Sequence, residues 1–178
     1  SFRKTVSLSD APANKEGMLH EFGMCLLVLG KAEEADEIFL KELEASPANV
    51  HALTGRATSA LILLRKGAEI DPKVVLECSN KALEILKGRA DATSLHLRSR
   101  VLVSKAAYYA IQGNENQDEQ EQLLMEAMSL NPTNIPTLLE LAQVFKNKGQ
   151  EEKAQELIQK AQKLAEKLKE GVPNGEQT

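Results

Sequence analysis

The side chains best suited to chemistry are few and scattered. Three histidines, His20, His51 and His96, lie in separate stretches of the chain, without the spacing to cysteine or acidic residues that a zinc site needs. The sequence also contains no phosphate-binding glycine loop, no nucleophile elbow and no His-Glu-x-x-His motif. These observations predict a protein that is not an enzyme and that holds neither a metal nor another cofactor.

The charged residues divide into two kinds of cluster. Acidic groups at 33–34, 36–37 and 118–121 stand where helices begin, and there they suit the positive end of the helix dipole. A catalytic carboxylate pair is an alternative that nothing in their spacing supports. The candidates for contact with an anion are basic: Arg89, Arg98, Arg100 and Lys105.

This basic cluster has two interpretations. Arg98 and Lys105 are seven residues apart and share one helix face, whereas Arg100 points elsewhere. The charges are either solvated and paired with nearby acids, or they are contacts for an acidic peptide. Nucleic acid is disfavoured, because no aromatic residues alternate with the cations for base stacking and the net charge is −4.

Composition indicates one soluble helical domain. The hydrophobic fraction is 42% and the aromatic fraction only 3%, so small aliphatic residues must fill the core. Cys25 and Cys78 lie in apolar segments and are expected to be buried, reduced thiols. The longest apolar runs, 24–29 and 60–64, are far shorter than the ~20 residues of a membrane span. Residues 1–12 lack the apolar run of a signal peptide, so a cytoplasmic location is expected.

Proline and glycine divide the chain into helices. Three Pro-x-Asn triplets, at 12–14, 47–49 and 132–134, each precede a long amphipathic stretch, and each is expected to stop one helix and cap the next. Asn116, with Glu119 three residues later, resembles a capping box. Helices are predicted at 14–29, 31–45, 49–66, 71–87, 90–112, 117–130, 134–148 and 151–170, with the end of an earlier helix at 1–9, no strand, and a disordered tail at 171–178.

The first predicted helix carries a regular apolar stripe. Its members recur at helical spacing and are expected to face the core: Met18, Phe22, Cys25, Leu26 and Leu29.

The pattern of small and bulky residues resembles the tetratricopeptide repeat, most closely at the two ends of the chain. The last pair of helices carries the pattern at Leu138, Leu141, Ala142, Phe145, Gly149, Ala154, Ile158 and Ala161, and the first at Leu19, Phe22, Gly23, Leu26, Gly30, Ala35, Phe39 and Pro47. The middle is degenerate, and residues 1–12 resemble the end of an earlier repeat. The resemblance implies an all-α right-handed solenoid over residues 1–170, with about four helix pairs and a leading half-repeat.

The resemblance also implies a function. In this family the first helix of each pair lines a concave groove that binds a peptide or an amphipathic helix of another protein. The alternative is a structural spacer or assembly subunit of a larger complex, contacting partners through its edges and ends. The groove positions are His20, Met24, Leu27, His51, Thr54, Thr58, Leu61, Arg100, Val103, Ala107, Leu139, Gln143 and Lys146.

One subfamily grips the C-terminal carboxylate of chaperones with five positions. Of these only Arg100 matches here, because His20, Met24, Gly55 and Ser104 stand where lysine, two asparagines and arginine are usual. Chaperone tails are therefore a disfavoured ligand.

Overall fold

A computed structural model describes residues 12–171, with side chains from Met18 onward except that of Asn114. Eight α-helices, and no strand, make up this part of the chain, with a short 3-10 turn at Asn114–Asn116. The helices are α1 (Pro12–Val28), α2 (Ala32–Ala45), α3 (Val50–Arg65), α4 (Lys73–Leu86), α5 (Ala92–Gln112), α6 (Gln117–Leu130), α7 (Ile135–Asn147) and α8 (Glu151–Glu170). The predicted 171–178 tail lies outside the described residues apart from Gly171.

The helices form a stack of four pairs. Each helix packs on the next along the chain, and α3 also packs on α1 and α5. Buried aliphatic residues therefore run along the stack in several clusters instead of one centre. The predicted solenoid of helix pairs is confirmed. No helix among residues 12–171 is both long and apolar enough to cross a membrane.

Glycines make the tight turns inside the end pairs, as the sequence predicts. Gly30 and Gly149 have φ of 76° and 72°, a left-handed conformation that costs glycine little. The N–H of the residue after each glycine then donates a hydrogen bond to the preceding helix. Lys31 donates to the Leu26 carbonyl at 2.9 Å, and Gln150 donates to the Phe145 carbonyl at 2.8 Å.

Two of the three Pro-x-Asn triplets act as predicted. The Asn49 side chain accepts from the Ala52 N–H at 3.1 Å, and the Asn134 side chain accepts from the Thr137 N–H at 3.1 Å. The prediction is wrong for the first triplet, because α1 already begins at Pro12 and the Asn14 backbone lies inside it. Proline tolerates the first helical position, where its missing N–H has no partner to lose.

The cap prediction at Asn116 is also wrong. Its side chain makes no cap hydrogen bond, because the chain enters α6 through the 3-10 turn. A different helix, α5, does have a side-chain cap: the Asp91 carboxylate accepts from the Ser94 N–H at 2.9 Å.

One side of α1 is exposed, contrary to the predicted inward stripe. Of its five members only Leu26 is buried, while Met18 is 68%, Phe22 42% and Leu29 70% exposed, and Cys25 is exposed. The reason is the position of α1 at the end of the described stack, where it packs mainly on α2 and α3. Residues 1–9, predicted to pack there as a half-repeat, lie outside the described residues.

Candidate partner-binding groove

The first helices of the pairs form a curved inner surface. The α5 side chain of Arg100 places Nη2 3.6 Å from the Met24 sulfur of α1. Helix α3 lies between them, since α3 packs on both α1 and α5. A side chain can bridge two helices across a third only where the three faces curve toward each other. The surface shared by α1, α3 and α5 is therefore concave.

An electrostatic interaction links α3 to α7, the first helix of the last pair. Arg65, at the end of α3, acts electrostatically on Glu140 of α7 and favours its charged form, although burial raises the pKa of Glu140 overall. Helix α5 stands between α3 and α7 in the stack order. The end of α3 therefore lies within electrostatic range of α7, the first helix of the last pair.

A cluster of nitrogen-bearing side chains lies at the first-pair end of this groove, here called the cationic corner: His20, His51 and Arg100. The two imidazole rings are 4.8 Å apart between centroids and meet edge to face. His20 is only 8% exposed and also lies 6.1 Å from the Phe39 ring. His51 is exposed and Arg100 is half-buried. The corner therefore has a buried floor and an accessible rim.

The electrostatics of the corner favour neutral imidazole at its floor. Burial lowers the pKa of His20 first, and the nearby His51 and Arg100 lower it further, against weaker opposite effects of Glu21 and of a hydrogen bond to the His51 backbone. Burial also lowers the pKa of Arg100, which stays charged at neutral pH. The corner therefore combines the fixed positive charge of Arg100 with an imidazole, that of His20, whose neutral form is favoured.

The structure makes most of the predicted groove residues at least partly accessible. His51, Leu139, Gln143 and Lys146 are exposed, and Met24, Leu27, Thr58, Arg100 and Val103 are half-buried. These include His51 of α3 and Arg100 of α5, two of the three residues of the cationic corner.

Four predicted groove positions are buried instead. The Thr54 hydroxyl donates to the Val50 carbonyl at 2.8 Å inside α3, and Leu61 and Ala107 belong to the core cluster of α3, α4 and α5. His20 forms the floor of the corner. Thr54 and Leu61 are buried because α3 packs on four helices, α1, α2, α4 and α5, so that only a narrow strip of its surface is accessible.

Sequence reasoning missed accessible residues on the same strips. Ile62 and Arg65 follow Thr58 at helical spacing on α3, and His96 precedes Arg100 by four residues on α5. The signal was available, because positions 51, 58, 62 and 65 lie on one face of a helix. Extending each strip by one turn from its predicted members would have found them.

The other basic residues fit the solvated interpretation. The Arg98 guanidinium pairs with Glu126 of α6 at 2.5 Å, Arg89 is exposed, and Lys105 is half-buried. Gly55 stands where the chaperone-binding subfamily has an asparagine. It packs against the Phe39 ring, which leaves no room for a ligand-binding side chain at this position. Across residues 12–171 no three His, Cys, Asp or Glu side chains are grouped as a metal site would need.

One segment of the chain matches a known repeat family. A family model described as the tetratricopeptide repeat matches residues 123–156, from within α6 to the start of α8. The resemblance to the tetratricopeptide repeat is confirmed. No curated protein matches the sequence.

Solved structures agree at the level of the fold. MamA 41-end from Desulfovibrio magneticus RS-1 is 20% identical with a TM-score of 0.60, covering 87% of this chain and 78% of that one. A thermophilic tetratricopeptide-repeat protein of Thermus thermophilus is 20% identical with a TM-score of 0.61, covering 84% and 74%. Identity this low shows the fold alone. A tetratricopeptide-repeat fold suggests a protein–protein interaction module.

Proposed function

We propose that this chain binds a segment of another protein, a short peptide or an amphipathic helix, in the groove formed by α1, α3, α5 and α7. The observation that supports this most directly is the contact between Arg100 of α5 and Met24 of α1 across α3, because such a contact requires a concave inner surface. Amphipathic helices of partner proteins commonly bind in grooves of this kind, with their apolar face against the groove.

The accessible side chains define the kind of segment that fits. Apolar contacts come from Met24, Ile62 and Val103, which are half-buried, and from Leu139, which is 46% exposed. A positive charge stands at the rim in Arg100. The complementary ligand is therefore a mostly apolar segment that carries an acidic residue, and not a purely charged tail.

The test begins with crosslinking mass spectrometry in cells to obtain a partner. The purified partner is then bound to the chain and to His51→Glu and Arg100→Glu. Each variant should weaken binding, mainly through slower association and altered salt dependence, because it reverses charge complementarity at the rim. Thermal melts should stay nearly unchanged, since neither residue lies in a core cluster.

The matched control is Lys163→Glu on the exposed part of α8. It makes the same kind of charge change outside the groove. Equal weakening by the control and the groove variants would exclude the groove as the binding surface.

A second candidate function is assembly through the end of the stack. The observation that favours it is the exposed apolar surface of Met18, Phe22 and Cys25 on α1, continued by Leu29 directly after the helix. The accessible side chains of residues 18–45 include five glutamates and two lysines, so the fitting occupant is a basic amphipathic helix of another polypeptide.

Paired variants separate the two surfaces. Phe22→Glu should abolish end-on assembly and spare groove binding, whereas Leu139→Glu should do the reverse. Protection of Cys25 from a thiol reagent in the isolated chain, lost when residues 1–9 are removed, would instead show that the chain's own segment covers α1.

A further inference from the structure

The outer surface of α1 is apolar, although it lies at the end of the described stack. Met18 is 68% and Phe22 42% exposed, Cys25 is exposed beside them, and Leu29, directly after the helix, is 70% exposed. The end helices of such stacks normally turn a polar face to water, because no further helix covers them. An exposed apolar patch of this kind marks a contact surface, and its chemistry indicates the occupant.

The last turns of α8, at the opposite end of the stack, carry a second apolar surface. Ala154, Ala161 and Leu168 are seven residues apart and lie on one face of this helix, but their exposed fractions are 0%, 2% and 66%. The face becomes exposed because α8 has 20 residues, whereas α7, on which it packs, has 13. The last turns of α8 therefore extend about 10 Å beyond the start of α7.

The two surfaces lie among charges of opposite sign. Residues 160–169 of α8 include four lysines, all exposed, and one glutamate, whereas the accessible side chains of residues 18–45 include five glutamates and two lysines. Opposite charges around two apolar surfaces favour their association and fix its orientation. The end of α8 is therefore a basic amphipathic helix of the kind that fits α1.

We propose that the occupant of the α1 surface is the end of α8 from a second copy of this chain, so that copies associate head to tail. Leu168 packs against Phe22, and the lysines around it face the glutamates of the first pair. This inference rests on the second candidate function, assembly through the end of the stack, and names its partner. Because the two surfaces differ, each complex keeps a free α1 and a free α8. Such a contact builds rows or rings of copies, whereas a two-fold contact stops at a dimer.

Sedimentation velocity of the intact chain over a concentration series measures this association. Dimers and then larger species should appear as the concentration rises toward the roughly millimolar range of weak contacts. Added salt should weaken the association, because it screens the opposite charges. Phe22→Glu on α1 and Leu168→Glu on α8 should each weaken it about tenfold or more. Met125→Glu, at a 47% exposed position on α6, is the matched control and should leave it unchanged.

Mixing the two variants is the decisive experiment. Phe22→Glu keeps an unaltered α8 and Leu168→Glu an unaltered α1, so one contact can form between them. Each variant alone should remain a single chain, whereas the mixture should form a complex of one copy of each and grow no further. Far-UV circular dichroism confirms that both variants are folded. Lys167→Glu should also weaken the association of the chain, and Lys87→Glu, exposed directly after α4, should not.

A mixture that stays dissociated would overturn the head-to-tail contact, and so would a chain that remains monomeric throughout the concentration series. Association that Phe22→Glu removes and Leu168→Glu leaves intact would also overturn it, in favour of a two-fold contact between α1 helices. If the chain stays monomeric, end-on assembly itself survives only where a partner obtained by crosslinking protects Cys25 from a thiol reagent. Groove binding, tested with Leu139→Glu, is independent of these outcomes.

Discussion

The ring of Phe39 occupies the space beside Gly55 in which a Cβ atom would lie. An ideal Cβ on Gly55 would be 2.4 Å from Cε1 of that ring, and one on Gly23 would be 2.5 Å from its Cζ. Phe39 is fully buried, so the ring has no free direction to move. One side chain of α2 is thus held between glycines on α1 and α3, and these contacts set the spacing between the first and second pairs.

Substitution of either glycine should therefore destabilise the protein. Gly23→Ala and Gly55→Ala each add a Cβ into the ring, at a cost of roughly 1–3 kcal/mol. Alanine's better helix propensity offsets up to about 1 kcal/mol of that cost. Gly23→Leu should cost more than Gly23→Ala. Urea unfolding measures the free energies.

Phe39→Leu provides the control for the mechanism. If the clash is the cause, Gly55→Ala should cost less in the Phe39→Leu background than alone, giving a coupling of about 0.5 kcal/mol or more. Strictly additive effects would mean that the glycine acts through backbone flexibility and not through the ring.

The last two helices should show a similar sensitivity at Ala142. This residue is 2% exposed and packs in one cluster with Phe145 of α7 and Ala154 of α8. Ala142→Leu adds three carbons to a filled space and should lower stability by roughly 1–3 kcal/mol. Gln143→Leu, one position along and exposed, is the matched control and should change the unfolding free energy little. Equal effects would place Ala142 outside the close helix crossing.

Much of the fold could be predicted from the sequence, because short-range rules determine it. Gly30 and Gly149 end helices by their own conformational freedom, and Asn49 and Asn134 cap helices with side chains three residues from their donors. These signals need no knowledge of distant neighbours.

Apart from the caps expected at Asn14 and Asn116, the errors arose where a distant neighbour decides the outcome. Met18 and Phe22 form a regular apolar stripe, but periodicity cannot reveal whether a neighbouring helix covers it. For the groove, the same limit explains Thr54 and Leu61, which lie near the accessible strip of α3 but are enclosed by four neighbouring helices. His20, His51 and Arg100 come together because the stack of helices is curved. No short-range sequence pattern predicts that curvature.

The asparagine caps should contribute measurably to stability. Asn49→Ala and Asn134→Ala should each lower the unfolding free energy by about 1 kcal/mol, because each leaves a helix N–H without its partner. Asn14→Ala is the control from the same sequence motif. Its backbone lies inside α1, so it should not show a cap-sized loss in thermal or urea unfolding. A loss at Asn14 equal to the other two would show that the first triplet caps after all.

The two cysteines should react at very different rates. Cys25 is exposed on α1, whereas Cys78 is 7% exposed and burial raises the pKa of its thiol, so little reactive thiolate forms. A colorimetric disulfide reagent at about pH 8 should titrate one thiol quickly in the native protein and the second only slowly or on unfolding. Cys25→Ser should remove the fast phase. Retention of that phase in this variant would contradict the burial of Cys78.

Stability should fall as the pH drops through the range in which His20 titrates. The ordinary pKa of histidine is 6.5, and burial, together with His51 and Arg100, holds the folded-state pKa of His20 below it. Between these two values the unfolded chain binds the proton more readily than the folded chain. The contribution of neutral His20 is therefore complete above about pH 6.5 and is lost progressively as the pH falls through the folded-state value. His20→Gln should flatten this part of the urea-unfolding profile between about pH 8 and pH 5, because glutamine does not titrate. His96→Gln, at an exposed position on α5, should leave the slope as it is. A His20→Gln profile as steep as that of the unsubstituted chain would show that groups other than His20 set the pH dependence.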